Sequence, residues 1–439
     1  MLQELIPFIF FAVIALSLLA GYPVAFTLGG VSVLFGGILF GFDFFELLPL
    51  RVWGIMSNYV LVSAPMFIFM GVMFERSGIA EELLETMALL FGRMRGGLAI
   101  SVLVVGALLG ASTGIVGATI VTLGVLSIPV MLKRGCSPTD SCGVVAASGT
   151  LGQIIPPSII LILLGSTLNI SIGDLFLGAV IPGMMLVLLY IGWIVVLNKI
   201  RPNAFPAFPE EEIQKFQKNK LRKIVTAFLL PSVLVLLVLG SMFMGIASPT
   251  EAAAVGAMGA TVLAIIRKKF SKETLMHVSK KTAVITSMAF MILVGATAFS
   301  LVFRGLHGDR VITEMIIAAE IGPELFLLIV MLIIFLAGFL IDFIEIIFII
   351  VPIVAPVFQN HYQMDLLWIG ILIAMNLQTS FMTPPFGFAL FYLKGVTPPE
   401  IKTTHIYKGV IPYISIILIC LMLMYFFPQL ALWLPGVMK

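Results

Sequence analysis

The sequence predicts an all-α polytopic membrane protein written as an inverted repeat, with two re-entrant helical hairpins and two interrupted helices. Three observations carry this. Of the 439 residues, 60% are apolar and 11% charged, and the mean hydropathy is +1.17, which no soluble core requires. The pair Pro156-Pro157 recurs as Pro384-Pro385, a shift of 228 positions, and Arg76, Met87, Gly110 and Ala146 meet Arg304, Met315, Gly338 and Ala374 at that same shift without a gap. The two hairpin segments carry opposite flanking charge. In a membrane protein, paired broken helices at equivalent places of two halves point to the binding region of a secondary transporter.

Apolar stretches of about 20 residues cross the hydrocarbon, and they follow one another from Ile6 onward. Ile6 to Ala20 reads as a span and not a secretory leader, because no basic region precedes it and Gly21, Tyr22 and Pro23 open the next apolar run. Phe44 to Asn58 is amphipathic and is expected along the membrane surface, so residues 1–60 form scaffold helices and an interfacial arm. Residues 61–198 form the first repeat, with a hairpin at about 97–132 and an interrupted helix at about 140–164. The hairpin arm Leu98 to Leu109 reaches only about 18 Å, short of the ~30 Å hydrocarbon. Its tip is expected at Gly110, Ala111, Ser112, Thr113 and Gly114, and basic residues on both flanks put its mouth in the cytoplasm.

Residues 199–282 hold two basic clusters, Lys199 to Lys223 and Arg267 to Lys281, separated by the spans Val225 to Phe243 and Ala252 to Ile266; both clusters therefore face the cytoplasm. The first, with Pro202, Pro206, Pro209 and the acidic run Glu210 to Glu212, reads as a solvated linker between the repeats in preference to a lipid-binding patch. Ser271 to Thr282 is a second amphipathic surface segment. Residues 283–407 form the second repeat, with a hairpin at about 325–358, its tip at Gly338 to Asp342, and an interrupted helix at about 366–393. That hairpin is flanked by Glu320, Glu324 and Asp365 with no Lys or Arg, so it opens outside, and the repeat is inverted. Residues 408–439 are a C-terminal scaffold helix.

Proline supplies no amide hydrogen, so carbonyls one turn upstream of each Pro-Pro lose their helical partners, and a lone carbonyl in lipid costs several kcal/mol. A sodium ion, which takes several oxygens, can satisfy them. Ser112 and Thr113 with the Gly149 to Ile155 backbone form one candidate cage; Thr379 and Ser380, facing the Gly338 to Asp342 tip, form the other. Asp342 and Glu345 interrupt an apolar run, where a carboxylate costs at least ~2.5 kcal/mol, so Asp342 is expected to help a cation site or to fix the tip. Arg304 can hold a carboxylate bidentately. Cys136, Cys142 and Cys420 form no CxxC and read as free thiols; four scattered histidines show no HExxH; no GxxxxGK loop offers ATP a site. An intramembrane enzyme lacks a paired nucleophile and base. A passive anion channel would need a continuous polar lining, and the sequence has isolated clusters.

Three motifs, GTLGQIIPPS at 149–158, SPTEAAAVGA at 248–257 and NLQTSFMTPPFG at 376–387, resemble the large membrane subunit of TRAP transporters, the DctM type, and the likeness covers essentially the whole chain. The resemblance implies an elevator-type transport domain moving against a scaffold, and sodium-coupled uptake of a small carboxylate, of the sialic acid or C4-dicarboxylate class. It implies two or more sodium ions, held at Ser112, Thr113, Gly149, Gly152 and Ile155 and at Gly338, Asp342, Asn376, Thr379, Ser380 and Met382. Solute contacts are implied at Arg304, Ser158, Ser112 and Asn376. The implied partners are a separate small membrane subunit of the DctQ type, a periplasmic solute-binding protein, and the lipid bilayer of the bacterial inner membrane; no nucleic acid is expected. An ion-coupled carboxylate transporter working without a binding protein is the nearest alternative. The second tip carries no hydroxyl where the first has Ser112 and Thr113.

Overall fold

Apolar runs bounded by Pro, Gly, Ser or Asn become helices, because in lipid a backbone amide finds a partner only in other backbone. The computed structural model describes residues 2–113, 116–202, 204–207, 224–339, 341–384 and 387–438. The first half holds α1 (Leu2–Leu19), α2 (Val24–Phe40), α3 (Leu47–Met56), α4 (Ser63–Arg76), α5 (Ile79–Leu90), α6 (Gly97–Thr113), α7 (Val116–Lys133), α8 (Pro138–Thr150), α9 (Ile159–Leu168) and α10 (Ile172–Ile200). The second holds α11 (Leu230–Phe243), α12 (Pro249–Ile266), α13 (Lys272–Gly305), α14 (Gly308–Ala318), α15 (Pro323–Ala337), α16 (Phe343–Ile349), α17 (Val351–Pro356), α18 (Leu366–Met382), α19 (Phe388–Val396), α20 (Thr403–Phe426) and α21 (Gln429–Val437). No strand occurs among the described residues, and seven helical stretches there are long and apolar enough to cross a membrane.

The 228-residue shift governs the layout beyond the motifs. Helices α1 and α11 open at positions 2 and 230, α8 and α18 at 138 and 366; α5 and α14 close at 90 and 318, α9 and α19 at 168 and 396. Packing is reciprocal. Helix α2 lies on α13 while its counterpart α12 lies on α4, and α7 lies on α19 while its counterparts α16 and α17 lie on α9. The halves therefore interlock, each closing the other's apolar faces. The equivalent helices α10 and α20 run antiparallel: Leu197 and Pro412 line one cavity, the rings of Tyr190 and Tyr413 are 5.0 Å apart, and Met185 and Leu423 line another cavity at the far end. Opposite directions for equivalent helices are what inversion requires.

Three local departures from expectation have physical causes. Helix α6 continues through Gly110 to Thr113, so its 17 residues reach about 25 Å, still less than a full crossing; Gly114 and Ile115, the end of the expected tip, lie outside the described residues. Ser271 to Thr282 is not a separate surface helix but the start of the 34-residue α13. In the first half Asn58 caps a 3-10 turn and Pro65 follows, separating α3 from α4; at the same shift stand Thr286 and Leu293, and nothing stops the helix. The returning arm of the second hairpin is segmented into α16, α17 and a π-helical turn at Val357–His361, around Pro352 and Pro356. Its mouth is closed by Phe326 and Phe358, with ring centroids 4.9 Å apart, and by the Tyr362 hydroxyl donating to the Ile321 carbonyl.

Buried polar side chains occur elsewhere in the interior, Ser32, Ser63 and Ser101 among them, and they gather most densely along two short stretches. Ser148, Thr150, Gln153 and Ser158, and Asn376, Gln378, Thr379 and Ser380, are each at most 3% exposed. All eight sit at the two breaks.

Candidate functional site

The first break forms because Pro156 and Pro157 cannot continue the ladder of α8. Helix α8 ends at Thr150, a 3-10 turn covers Leu151–Gln153, and the chain extends to Ser158, which caps α9 by accepting from the Leu161 amide. The Ser158 hydroxyl also donates to the Gln153 carbonyl. One of the carbonyls stranded by proline is thus satisfied within the chain, and Ser158 is committed to bridging the break. The carbonyl of Gly152 loses the amide that residue 156 would bring, and none is supplied by the turn.

Hairpin α6–α7 holds this break from both arms. A Cβ on Gly110 would lie 2.3 Å from the Cα of Gly152, and one on Gly152 would lie 2.0 Å from the Cα of Gly110, so the two backbones touch with no room for a side chain. Gly149 faces Ile120 of α7, and Ile155 faces Gly183 of α10. Ser112 and Thr113 fall in the last turn of α6, their side chains outside the described residues.

The second break repeats the arrangement at the same shift. Helix α18 ends at Met382, Thr383 is extended at φ −90°, ψ 124°, and Gly387 opens α19; Pro385 and Phe386 lie outside the described residues. A Cβ on Gly338 would lie 1.9 Å from Ser380 Oγ, so the contact of Gly110 with Gly152 recurs as Gly338 on Ser380. Local hydroxyls again bond back along the helix: Thr379 Oγ1 donates to the Asn376 carbonyl and Thr383 Oγ1 to the Thr379 carbonyl, both at 2.6 Å. Asn376 Nδ2 donates to the Met331 carbonyl of α15 at 2.7 Å, tying the hairpin arm to the break. Two groups remain: the Ser380 hydroxyl and the Gln378 amide have no hydrogen-bond partner among the described residues. A buried polar group without a partner is costly, so a ligand that supplies one is favoured there.

Asp342 stands at the end of the expected tip as a helix cap. It caps α16, accepting from the Phe343 amide at 2.7 Å, and its own amide donates to Glu345 at 3.3 Å, a reciprocal capping box. Leu340 lies outside the described residues. Among the described residues no three His, Cys, Asp or Glu converge as a metal set. The oxygens at the breaks, carbonyls, hydroxyls and one carboxylate, are hard donors that suit an alkali cation and not a transition metal.

The two breaks meet. Thr150 Oγ1 at the end of α8 lies 3.9 Å from Met382 Sδ at the end of α18. Thr150 and Gln378 occupy equivalent positions, and sequence reasoning did not single out either; the shared shift and the polarity of both were the available signal. Arg304 is exposed on the last turn of α13, outside this buried cluster, next to Gly305, which abuts Phe40 and Phe44. Its counterpart Arg76 reaches the His277 ring at 2.7 Å on the basic face, where Lys281 pairs with Glu75 at 2.9 Å and Arg267 with Glu82 at 2.6 Å. The three cysteines are free and buried.

Comparison with known proteins agrees with this geometry. Residues 10–430 match the family described as tripartite ATP-independent periplasmic transporter, DctM component. The C4-dicarboxylate TRAP transporter large permease protein of Vibrio cholerae is 29% identical over 96% of this chain and 95% of its own length. The ectoine TRAP transporter large permease protein of Halomonas elongata is 28% identical over 95% and 96%. The crystal structure of the Alcanivorax borkumensis YdaH transporter shares the fold, with a TM-score of 0.63 at 14% identity over 93% of this chain and 96% of that one. With two clasped breaks at one shift and a family match along nearly its whole length, the chain belongs to the DctM component of tripartite ATP-independent periplasmic transporters, a large permease that passes repeatedly through the inner membrane and is a transporter, not an enzyme.

Proposed function

We propose that this permease takes up a small carboxylated solute, coupled to the sodium gradient, by displacement of the two hairpins and broken helices as one body against the scaffold. The observation that carries it is the clasp made twice, Gly110 on Gly152 and Gly338 on Ser380, with the Ser380 hydroxyl and the Gln378 amide at the second left without a partner among the described residues. Sodium bound at the second break would take Ser380 Oγ with upstream carbonyls and the Asp342 carboxylate, and at the first break the carbonyl of Gly152. Its binding would draw each tip onto its break. The N-terminal ends of α9 and α19, which follow the two breaks and carry positive partial charge, would favour an anion bound beside them.

Relatives named for C4-dicarboxylate and ectoine support a small carboxylate as solute. A periplasmic binding protein and a separate small membrane subunit complete the system. A cavity of about 850 Å³ between the start of α10, Asn58 and the loop joining α11 to α12 opens on the face opposite the basic residues, where such a receptor would deliver solute. The test is uptake in proteoliposomes carrying this chain with its small subunit and loaded receptor. Accumulation is expected only with an inward sodium gradient. Equilibration of solute after the gradient is collapsed would identify a channel and overturn the reading.

A further inference from the structure

A second cavity, of about 420 Å³, lies at the basic end of the antiparallel pair α10 and α20, away from the breaks. Arg201, from the cluster expected to be a solvated linker, and Lys408 stand exposed on it; Ser137, Thr139 and Asp140 line its α8 side, and Trp193, Leu197 and Pro412 give it an apolar wall. The Arg201 side chain is 66% exposed and lies 3.7 Å from Asp140, itself 14% exposed, in the first turn of α8. Lys408 is exposed and forms no ion pair among the described residues. Among the described residues that line it, two cations and one carboxylate leave a net single positive charge beside the apolar wall. A cationic patch beside an apolar wall suits a phospholipid, with its charged headgroup and its hydrocarbon.

The inverted repeat supplies an internal control. At the opposite end of the same helix pair lies a cavity of about 510 Å³, lined by Ile181, Met185, Leu423, Phe427, Gln429 and Trp433 among others. At the 228-residue shift Arg201 becomes Gln429, Lys408 becomes Val180, Asp140 becomes Trp368 and Tyr413 becomes Met185. Crossing of the two helices accounts for a hollow at each end. Basic residues line only the one at the end where the chain's Lys and Arg concentrate, so an anionic headgroup finds a partner there and not at the other.

We propose that the cavity between α10, α20 and the start of α8 binds a monoanionic diacyl phospholipid of the cytoplasmic leaflet, its phosphate held by Arg201 and Lys408. The single net charge matches a headgroup of net −1, such as phosphatidylglycerol. Because α8 leads directly to the first break, the lipid steadies the helix that α6 and α7 clasp.

The experiment uses the full-length protein in detergent, with phosphatidylglycerol, phosphatidylcholine or soluble glycerol phosphate added, read by thermal midpoint and by native mass spectrometry of retained lipid. Phosphatidylglycerol is expected to raise the midpoint and to be retained; phosphatidylcholine and glycerol phosphate are not. Arg201→Gln and Lys408→Gln should each weaken retention about fivefold, the effect of one cation near an anionic headgroup, while Arg201→Lys keeps it. Equal stabilisation by phosphatidylcholine would overturn the proposal. So would equal stabilisation by glycerol phosphate, which would mean a free-phosphate site, or full retention by the double glutamine variant.

Discussion

At the two clasps the chain leaves no room for a single added carbon: a Cβ on Gly110 or Gly152 would strike the other's Cα, and one on Gly338 would strike Ser380 Oγ. Gly338→Ala places a methyl 1.9 Å from Oγ and 2.4 Å from Cβ of Ser380, and is expected to cost about 1–3 kcal/mol as an overpacked contact. Adding Ser380→Gly removes both clashing atoms and leaves the Cα 3.1 Å away, so thermal stability should return. Uptake should not, if the Ser380 oxygen serves the ion; recovery of both together would assign Ser380 to packing alone. Gly110→Ala has no such remedy, because it strikes the Cα and backbone nitrogen of Gly152. These glycines were visible in the sequence through their shared shift. The Ser158 bridge to Gln153 was not, since it depends on how the chain turns after two prolines, and neither was the approach of Thr150 to Met382, across 232 residues.

Among the elements, α16 shows how one acidic residue can carry two duties. Its seven residues are too few to be stable alone, and the Asp342–Glu345 box supplies their N-terminal partners. Asp342→Ala should remove the cap at about 1 kcal/mol and abolish sodium-driven uptake. Asp342→Asn keeps a capping oxygen and should leave the melting midpoint unchanged while uptake is still lost; full uptake by the Asn variant would confine Asp342 to capping. The breaks themselves were legible because Pro-Pro denies amide hydrogens wherever it stands in a helix. The merger of the second amphipathic segment into α13 was legible only by comparing halves, with Asn58 and Pro65 replaced by Thr286 and Leu293. Arg304, singled out because its planar fork can hold a carboxylate, stands exposed at a helix end, where its charge is solvated cheaply.

For the whole molecule, the elevator reading requires that hairpins and breaks travel together past α4, α11, α12 and α13. Leu109 of α6 and Val235 of α11 line one small cavity across that boundary, whereas Gly124 of α7 and Val396 of α19 touch within the proposed mobile body. A short bis-maleimide tether between cysteines at 109 and 235 should stop uptake, and one between 124 and 396 should leave it nearly intact. The native thiols are buried and give little background. Equal loss from both tethers would contradict the division. Reciprocal interlocking was beyond reach of the sequence, because it joins residues far apart along the chain, although the shift itself announced that two halves exist. One member of the frame has a further effect. At 34 residues α13 is a rod about 51 Å long in hydrocarbon of ~30 Å, so it must lean or project. Its opening turns carry Lys272, Lys280 and Lys281, and Lys281 pairs with Glu75 of α4, so the surplus length stands outside the hydrocarbon and fastens two frame helices beyond the membrane surface.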